Sequence, residues 1–195
     1  MRRFLHKKTY RHLTDEELMQ MVAEKGCEFA FDELYQRHAQ RLMGFFYRML
    51  QQDKERAADA CQDTFMKIWR VRYQYNVSLA FRPWMFTIAY NMCRSYFRHN
   101  EVEEKCTTEL YAMFDEASDD EMELYIDQET MLLALDKTLK KLSDEQRTLF
   151  ALRYEEELTI PQVAQILSVP EGTVKSRLHR MLNFLKHELK KYEGI

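Results

Sequence analysis

Apolar side chains recur every three to four residues along most of this chain, the period of an amphipathic helix rather than the alternation of a strand. Thr14 followed by Glu17 makes a capping box, the hydroxyl taking an orphan N–H while the glutamate reaches back. It predicts a helix over about 15–25 with Leu18, Met21 and Val22 on one side, ended by Gly26. A second helix over about 28–50 aligns Phe31, Leu34, Tyr35, His38, Leu42, Phe45, Phe46 and Met49 in one stripe. A third over about 53–71 puts Cys61, Thr64, Phe65 and Ile68 on one face and Asp59, Gln62 and Asp63 towards another. The stretch RYQYNVSLAF breaks the period and reads as a loop. A fourth helix follows, with Pro83 in its first turn, where a missing N–H costs nothing. Trp84, Ile88 and Met92 form its expected core stripe.

After Asn100 the pattern changes. Residues 101–136 carry thirteen Asp and Glu against Lys105 alone, with little periodicity at first. Helical spacing resumes near residue 129, with Leu132, Leu135, Leu139 and Leu142 near one face, and Ser143 with Gln146 capping the next helix. With only 4 Gly and 3 Pro in 195 residues there is little turn punctuation for sheets. The expected fold is all-α, two small helical domains joined by an acidic linker. The boundaries are a basic extension at 1–12, a domain at 13–100, the linker at 101–128 and a second domain at 129–195.

The C-terminal stretch reads as helix, tight turn, helix. Thr159 caps the first, and Ile160, Val163, Ala164 and Leu167 fall on one face. SVPEG breaks the pattern, and Val174, Leu178, Met181, Leu182 and Leu185 then form an apolar stripe. Lys175, Ser176, His179 and Arg180 fall on the opposite arc, with Arg177 on the flank. One side is anchored while the other offers hydrogen-bond donors, which suits a helix laid into the DNA major groove. The net charge of -3 hides this clustering: residues 171–191 carry six Lys and Arg against two Glu. An ordinary solvated amphipathic helix is the plainer alternative.

In the fourth helix Thr87, Tyr90, Asn91, Arg94 and Arg98 share a stripe amid many aromatics, including Tyr73, Tyr75, Phe81, Phe86, Tyr96 and Phe97. Interleaved cations and rings suit single-stranded nucleic acid, because bases stack while Arg follows phosphates. Rings at helical spacing also simply fill cores. The polar face with Asp59, Gln62 and Asp63 reads equally as a solvated surface or as a docking surface for a helical partner.

No nucleophile–base set, phosphate loop or metal-ligand cluster stands out, so neither an enzyme nor a cofactor or metal is expected. No apolar run is long enough to span a membrane, and the basic N-terminus lacks the apolar core of a secretory signal. Four scattered cysteines without a Cys-x-x-Cys pair suit a reducing cytoplasm.

Together the segments resemble the extracytoplasmic-function (group IV) sigma factors of bacterial RNA polymerase, of the sigma-70 family. QDTFMKIWR resembles the family's region 2.2, FRPWMFTIAYNMCRSYFR its regions 2.3 and 2.4, and the stretch from LSDEQ to HRML its region 4 with the Gly-Thr-Val-Lys-Ser-Arg signature. The resemblance implies that Asp59, Gln62, Asp63 and Trp69 meet the β′ clamp helices of core polymerase. It implies that Asn91, with Thr87, Arg94 and Arg98, captures an unstacked base of the −10 element, and that Lys175, Ser176, Arg177, His179 and Arg180 face the −35 element as duplex. The loop before Phe81 shapes the −10 pocket in this family; here it reads YNVSLA, without the Gly and Asp often found there. Expected partners are RNA polymerase core, through β′ and the β flap, promoter DNA, and an anti-sigma factor or other recruiter. The resemblance also threads the acidic linker near the polymerase active site and RNA exit path. The rival is a stand-alone helix-turn-helix regulator with an N-terminal partner-binding bundle; a helical adaptor without DNA contact leaves the cationic helix unexplained.

Overall fold

The computed structural model describes residues 10–108 and 128–193, without the side chains of 98–108, 128–133 and 192–193. Residues 1–9 of the expected extension and 109–127 of the expected linker lie outside the described residues. Among the described residues every regular element is helical: α1 Asp15–Lys25, α2 Glu28–Met49, α3 Lys54–Val71, a 3-10 turn Arg72–Gln74, α4 Phe81–Thr108, α5 Gln128–Lys140, α6 Asp144–Phe150, a π-helical turn Ala151–Glu155, α7 Ile160–Leu167 and α8 Glu171–Glu193. The chain groups into two compact units, Met1–Ser95 with Pro161–Ser168, and Tyr96–Ile160 with Val169–Ile195.

The helix ends follow local chemistry. Thr14 Oγ1 accepts from the Glu17 amide at 3.2 Å, and the Glu17 carboxylate accepts from the Thr14 amide at 2.7 Å. Gly26, at φ 60, closes α1 in the left-handed conformation, its N–H reaching Val22 O and the next N–H reaching Met21 O. Asp53 Oδ1 accepts from the Glu55 and Arg56 amides, both at 3.0 Å, to start α3. Ser143 and Gln146 form the expected second capping box. Helix α4 continues to Thr108, past the expected linker start at 101. Ser168, at φ 55, breaks α7 from α8 although it is not glycine, and the Pro170 carbonyl opens α8 by accepting from Thr173 and Val174.

In the first unit α2 packs against α1 and α3, and each of those two also packs on the 3-10 turn. Leu18, Leu34, Leu42, Phe45, Phe46, Ile68, Met85 and Phe86 are fully buried, with the Phe45 ring edge-on to Phe46 and Phe86 at 5.7 and 5.3 Å. Three expected stripes are corrected. In α2, Tyr35 is exposed and Phe31 half-buried, while Ala30 and Glu33 turn inward. In α4 the buried face is Phe81, Met85, Phe86, Ala89 and Cys93, and Trp84, Ile88 and Met92 flank it half-buried. That helix is apolar over more than half its circumference, so a 100° rotation still presents an apolar stripe, and packing against α2 selects the face. In the second unit α5 and α6 pack on α8. There Ala134, Thr138 and Leu142 are the buried positions of the α5 region, and Leu135 and Leu139 are half-buried. The small Ala and Thr side chains allow close approach, and the Thr138 hydroxyl is satisfied by donating to the Ala134 carbonyl at 2.7 Å.

A polar pin ties the start of the first unit together. Arg37 donates to Asp15 at 2.9 Å, to Glu33 at 3.0 Å, and to the carbonyls of Leu13, Tyr10 and Arg11 at 2.8, 3.2 and 3.2 Å. His38 Nε2 lies 2.6 Å from the other Asp15 oxygen. Burial alone would raise the Asp15 pKa, but hydrogen bonds and charge from His38 and Arg37 outweigh it and hold the carboxyl below its usual value.

Candidate functional site

Helix α3 presents a polar edge beside an apolar hollow. Thr64, Phe65 and Ile68 are buried and anchor it, the Thr64 hydroxyl donating to the Ala60 carbonyl at 2.8 Å. Asp59, Gln62 and Asp63 are left exposed. Next to them a hollow of about 260 Å³ is lined by Phe31 and Tyr35 from α2 and by Gln62, Phe65, Met66, Trp69 and Arg70 from α3. Its walls are rings: Tyr35 meets Phe65 at 4.7 Å and Phe31 meets Trp69 at 5.1 Å, both edge-on. Trp69 is half-buried, with the Arg72 guanidinium 4.7 Å over its ring. Tyr35 and Met66, in the lining of the hollow, are 46% and 44% exposed, so part of its apolar wall is open to solvent. The sequence places Phe31 and Tyr35 on the apolar stripe of α2 and gives no signal for Met66. Burying one leucine-sized side chain in such a hollow contributes about 1.5–3 kcal/mol.

The second region is the outer side of α4 with the preceding loop. Asn91 and Arg94 are exposed on this helix. Thr87 is half-buried, its hydroxyl donating to the Pro83 carbonyl at 2.9 Å. Arg98 is in the same helix, but its side chain lies outside the described residues. Of the two readings left open for the aromatics, core filling holds for Phe81, Phe86 and Tyr75, which are buried, while Tyr90, Tyr96 and Phe97 are half-buried. Tyr73 stays open, at 70% exposure. The loop itself is a closed turn. Asn76 accepts from the Ser78 amide through its side chain at 3.0 Å and from the Leu79 amide through its carbonyl at 2.9 Å. Val77 and Leu79 face solvent.

The third region is α8. Val174, Leu178, Met181 and Leu185 are buried as the stripe requires, and Lys175, Ser176, His179 and Arg180 are exposed on the other arc. Leu182 is corrected: it is 42% exposed and follows Lys175 and His179 at spacings of seven and three on the outward side. Arg177 is half-buried and turns to Glu145 of α6 at 3.5 Å. The Ser176 hydroxyl donates to the Thr173 carbonyl at 3.0 Å, and the Asn183 amide sits 3.0 Å from His179 Nε2. Farther along, Glu188 accepts from Lys141 at 2.8 Å and Lys191 at 2.5 Å; these bonds hold its carboxyl down to about 2. Lys175, His179 and Arg180 thus remain outward-facing on a helix whose far end is fastened to the α5–α6 junction.

Among the described residues no cluster of three His, Cys, Asp or Glu groups is placed to hold a metal. No described helix is long and apolar enough to cross a membrane.

Known proteins share this arrangement. Residues 34–102 match the family profile of sigma-70 region 2, and residues 132–185 match that of sigma-70 region 4. The ECF RNA polymerase sigma factor SigW of Bacillus subtilis is 27% identical over 176 residues, covering 86% of this chain and 92% of that protein. The RNA polymerase sigma factor CarQ of Myxococcus xanthus is 28% identical over 169 residues, covering 86% of this chain and 94% of CarQ. Among solved structures, CnrH in complex with the cytosolic domain of CnrY superposes with a TM-score of 0.65 at 22% identity over 91% of this chain and 97% of that one. The sigma factor RpoE in complex with the anti-sigma factor NepR, from Bartonella quintana, gives 0.61 at 24% identity over 82% and 96%. With both sigma-70 regions matched in order and relatives aligned over nearly their full lengths, the chain belongs to the extracytoplasmic-function sigma factors of the sigma-70 family.

Proposed function

We infer that this chain is a promoter-specificity subunit, directing RNA polymerase core to particular promoters for transcription initiation. The observation that carries this is the pairing, in one chain, of an aromatic hollow lined in part by Gln62 with an outward cationic stripe on α8. Its work is binding and DNA opening rather than catalysis of its own. Core polymerase and promoter DNA are its partners, and an anti-sigma factor or another recruiter controls its access to them.

Asp59, Gln62, Asp63 and Trp69 meet the β′ clamp helices, and an apolar side chain of that partner enters the hollow. Region 4 meets the β flap. The domain at 129–195 reads the −35 duplex: Lys175 and Arg180 reach base edges or phosphates, Ser176 and His179 add polar contacts, and Arg177 joins once it leaves Glu145. The domain at 13–100 opens the −10 element. Asn91 holds an unstacked base, with Thr87 beside it and Arg94 and Arg98 on the phosphates. The acidic segment 101–128 spans the polymerase between the two, and the basic residues 1–12 precede them. The protein acts in the cytoplasm, where the polymerase is.

Run-off transcription with purified core polymerase and start-site mapping is the test. A sigma factor gives defined starts only with this chain present, and it binds the promoter tightly only together with core. A stand-alone regulator binds its operator at equal affinity without core, and that result would overturn the reading.

A further inference from the structure

The −10-facing loop is held from outside the segment that matches sigma-70 region 2. Glu16, in the first turn of α1, accepts a hydrogen bond from the Phe81 amide at 3.0 Å, across 65 residues of sequence. Phe81 is the first residue of α4, so this amide is one of the orphan donors of a helix start. The carboxylate also carries the charge that a helix N-terminus favours. The acceptor arrives from a different helix, α1. The matched region 2 begins at residue 34, downstream of Glu16.

The other end of the loop converges on the same point. Tyr75 is buried, its hydroxyl donating to the Leu79 carbonyl at 2.5 Å and its ring packing on Trp84 at 5.0 Å and Phe81 at 6.3 Å. Burial pushes the Tyr75 hydroxyl up to about 12, with the Glu16 and Asp15 carboxylates adding to the effect. Helix α1 also packs on the 3-10 turn Arg72–Gln74 at the entry to the loop. Asp15 is in turn fastened to α2 through Arg37 and His38. Between these fixed ends stands the closed turn 76–79, with Val77 and Leu79 outward.

We propose that Glu16 is a positioning residue for promoter opening: by capping α4 at Phe81 it sets the loop 76–80 in register with Asn91 ten residues farther along the helix. It touches no DNA. Without it the Phe81 amide loses its acceptor, the first turn of α4 frays, and the loop no longer meets the captured base in one fixed orientation. The role rests on the reading of this loop and Asn91 as the −10-facing surface.

The test compares Glu16→Ala and Glu16→Gln in the full chain with core polymerase. Templates are a promoter and its single-base variants across the −10 element. Glu16→Ala is expected to lower open-complex formation by about tenfold, the scale of one lost charge-assisted hydrogen bond. It should also flatten the preference at the captured position, while core affinity stays at the wild-type value. Glu16→Gln keeps an oxygen facing Phe81 and should restore most of the preference. Amide exchange at Phe81 should accelerate in the Ala variant and remain slow in the Gln variant. Equal losses on every −10 variant, tracking a lowered melting temperature, would make Glu16 merely structural and overturn the proposal, as would unchanged selectivity. A wild-type protein insensitive to every −10 substitution would instead remove the underlying −10 reading, a failure recognisable without any Glu16 variant.

Discussion

Replacing Arg37 by Met keeps most of the apolar stem and deletes the guanidinium that closes the first unit. The lost contacts are the Asp15 and Glu33 carboxylates and the carbonyls of Leu13, Tyr10 and Arg11. Removing one partner of a fully buried pair costs about 3–5 kcal/mol, because the remaining charge stays desolvated. Arg37 is 25% exposed and His38 still pairs with Asp15, so water and the imidazole recover part of this; about 2 kcal/mol is the expected loss. For a unit of this size that is a fall of roughly 8–16 °C in melting temperature. Both tryptophans, Trp69 and Trp84, lie in the first unit, so their fluorescence reports its unfolding separately from the second. The pH dependence follows from Asp15, whose folded pKa is lowered. Its ionised form contributes fully above the unfolded value of 3.8, and the contribution disappears as pH falls through the lower folded value. The gap between wild type and variant should therefore narrow below about pH 4. A fall of less than about 2 °C at neutral pH, or a gap independent of pH, would refute the reasoning.

Further outcomes are expected from three other substitutions. Met66→Asp, at the exposed rim of the hollow, should weaken core-polymerase association by at least about 30-fold in a binding titration, as for a central interface residue, while leaving the melting temperature nearly unchanged. Asn91→Ala should keep core binding and −35 contact but lose preference at one −10 position, even on a template pre-melted by mismatches; restored transcription on that template would mean that Asn91 assists unpairing rather than reading the base. Glu188→Gln should flatten the acid dependence of second-unit stability. The wild-type carboxyl is held from 4.5 down to about 2 by hydrogen bonds from Lys141 and Lys191, so its contribution is complete above the higher value and is lost as pH falls through the lower; circular dichroism melts between these limits should show the difference.

Much of the fold and of the family was legible in the sequence, because it rests on interactions spanning a few residues. Thr14 with Glu17, Gly26, and Ser143 with Gln146 act within one helical turn, and the structure places each as expected. The inward face of α3 and four of the five stripe positions of α8 follow from the same short-range period. The order of the motifs carried the family, and the outward placement of Lys175, Ser176, His179 and Arg180 followed from the core stripe opposite them. What the period could not decide was which apolar arc meets a neighbour when a helix has more than one. In α4 the buried arc runs through Phe81, Met85 and Ala89 rather than Trp84, Ile88 and Met92, with His38 of α2 against Phe81 and Phe45 of α2 against the neighbouring Phe86. Tyr35 and Met66 form the rim of a hollow only because α2 and α3 approach as they do. Three consecutive acids show the division most clearly. Glu17 caps its own helix, which local spacing foretold; Asp15 binds Arg37 and His38 of α2, and Glu16 caps α4 at Phe81. The partners of those last two acids lie 22 to 65 residues away, so no local pattern encodes them, and only the packed arrangement of the helices brings them within hydrogen-bonding distance.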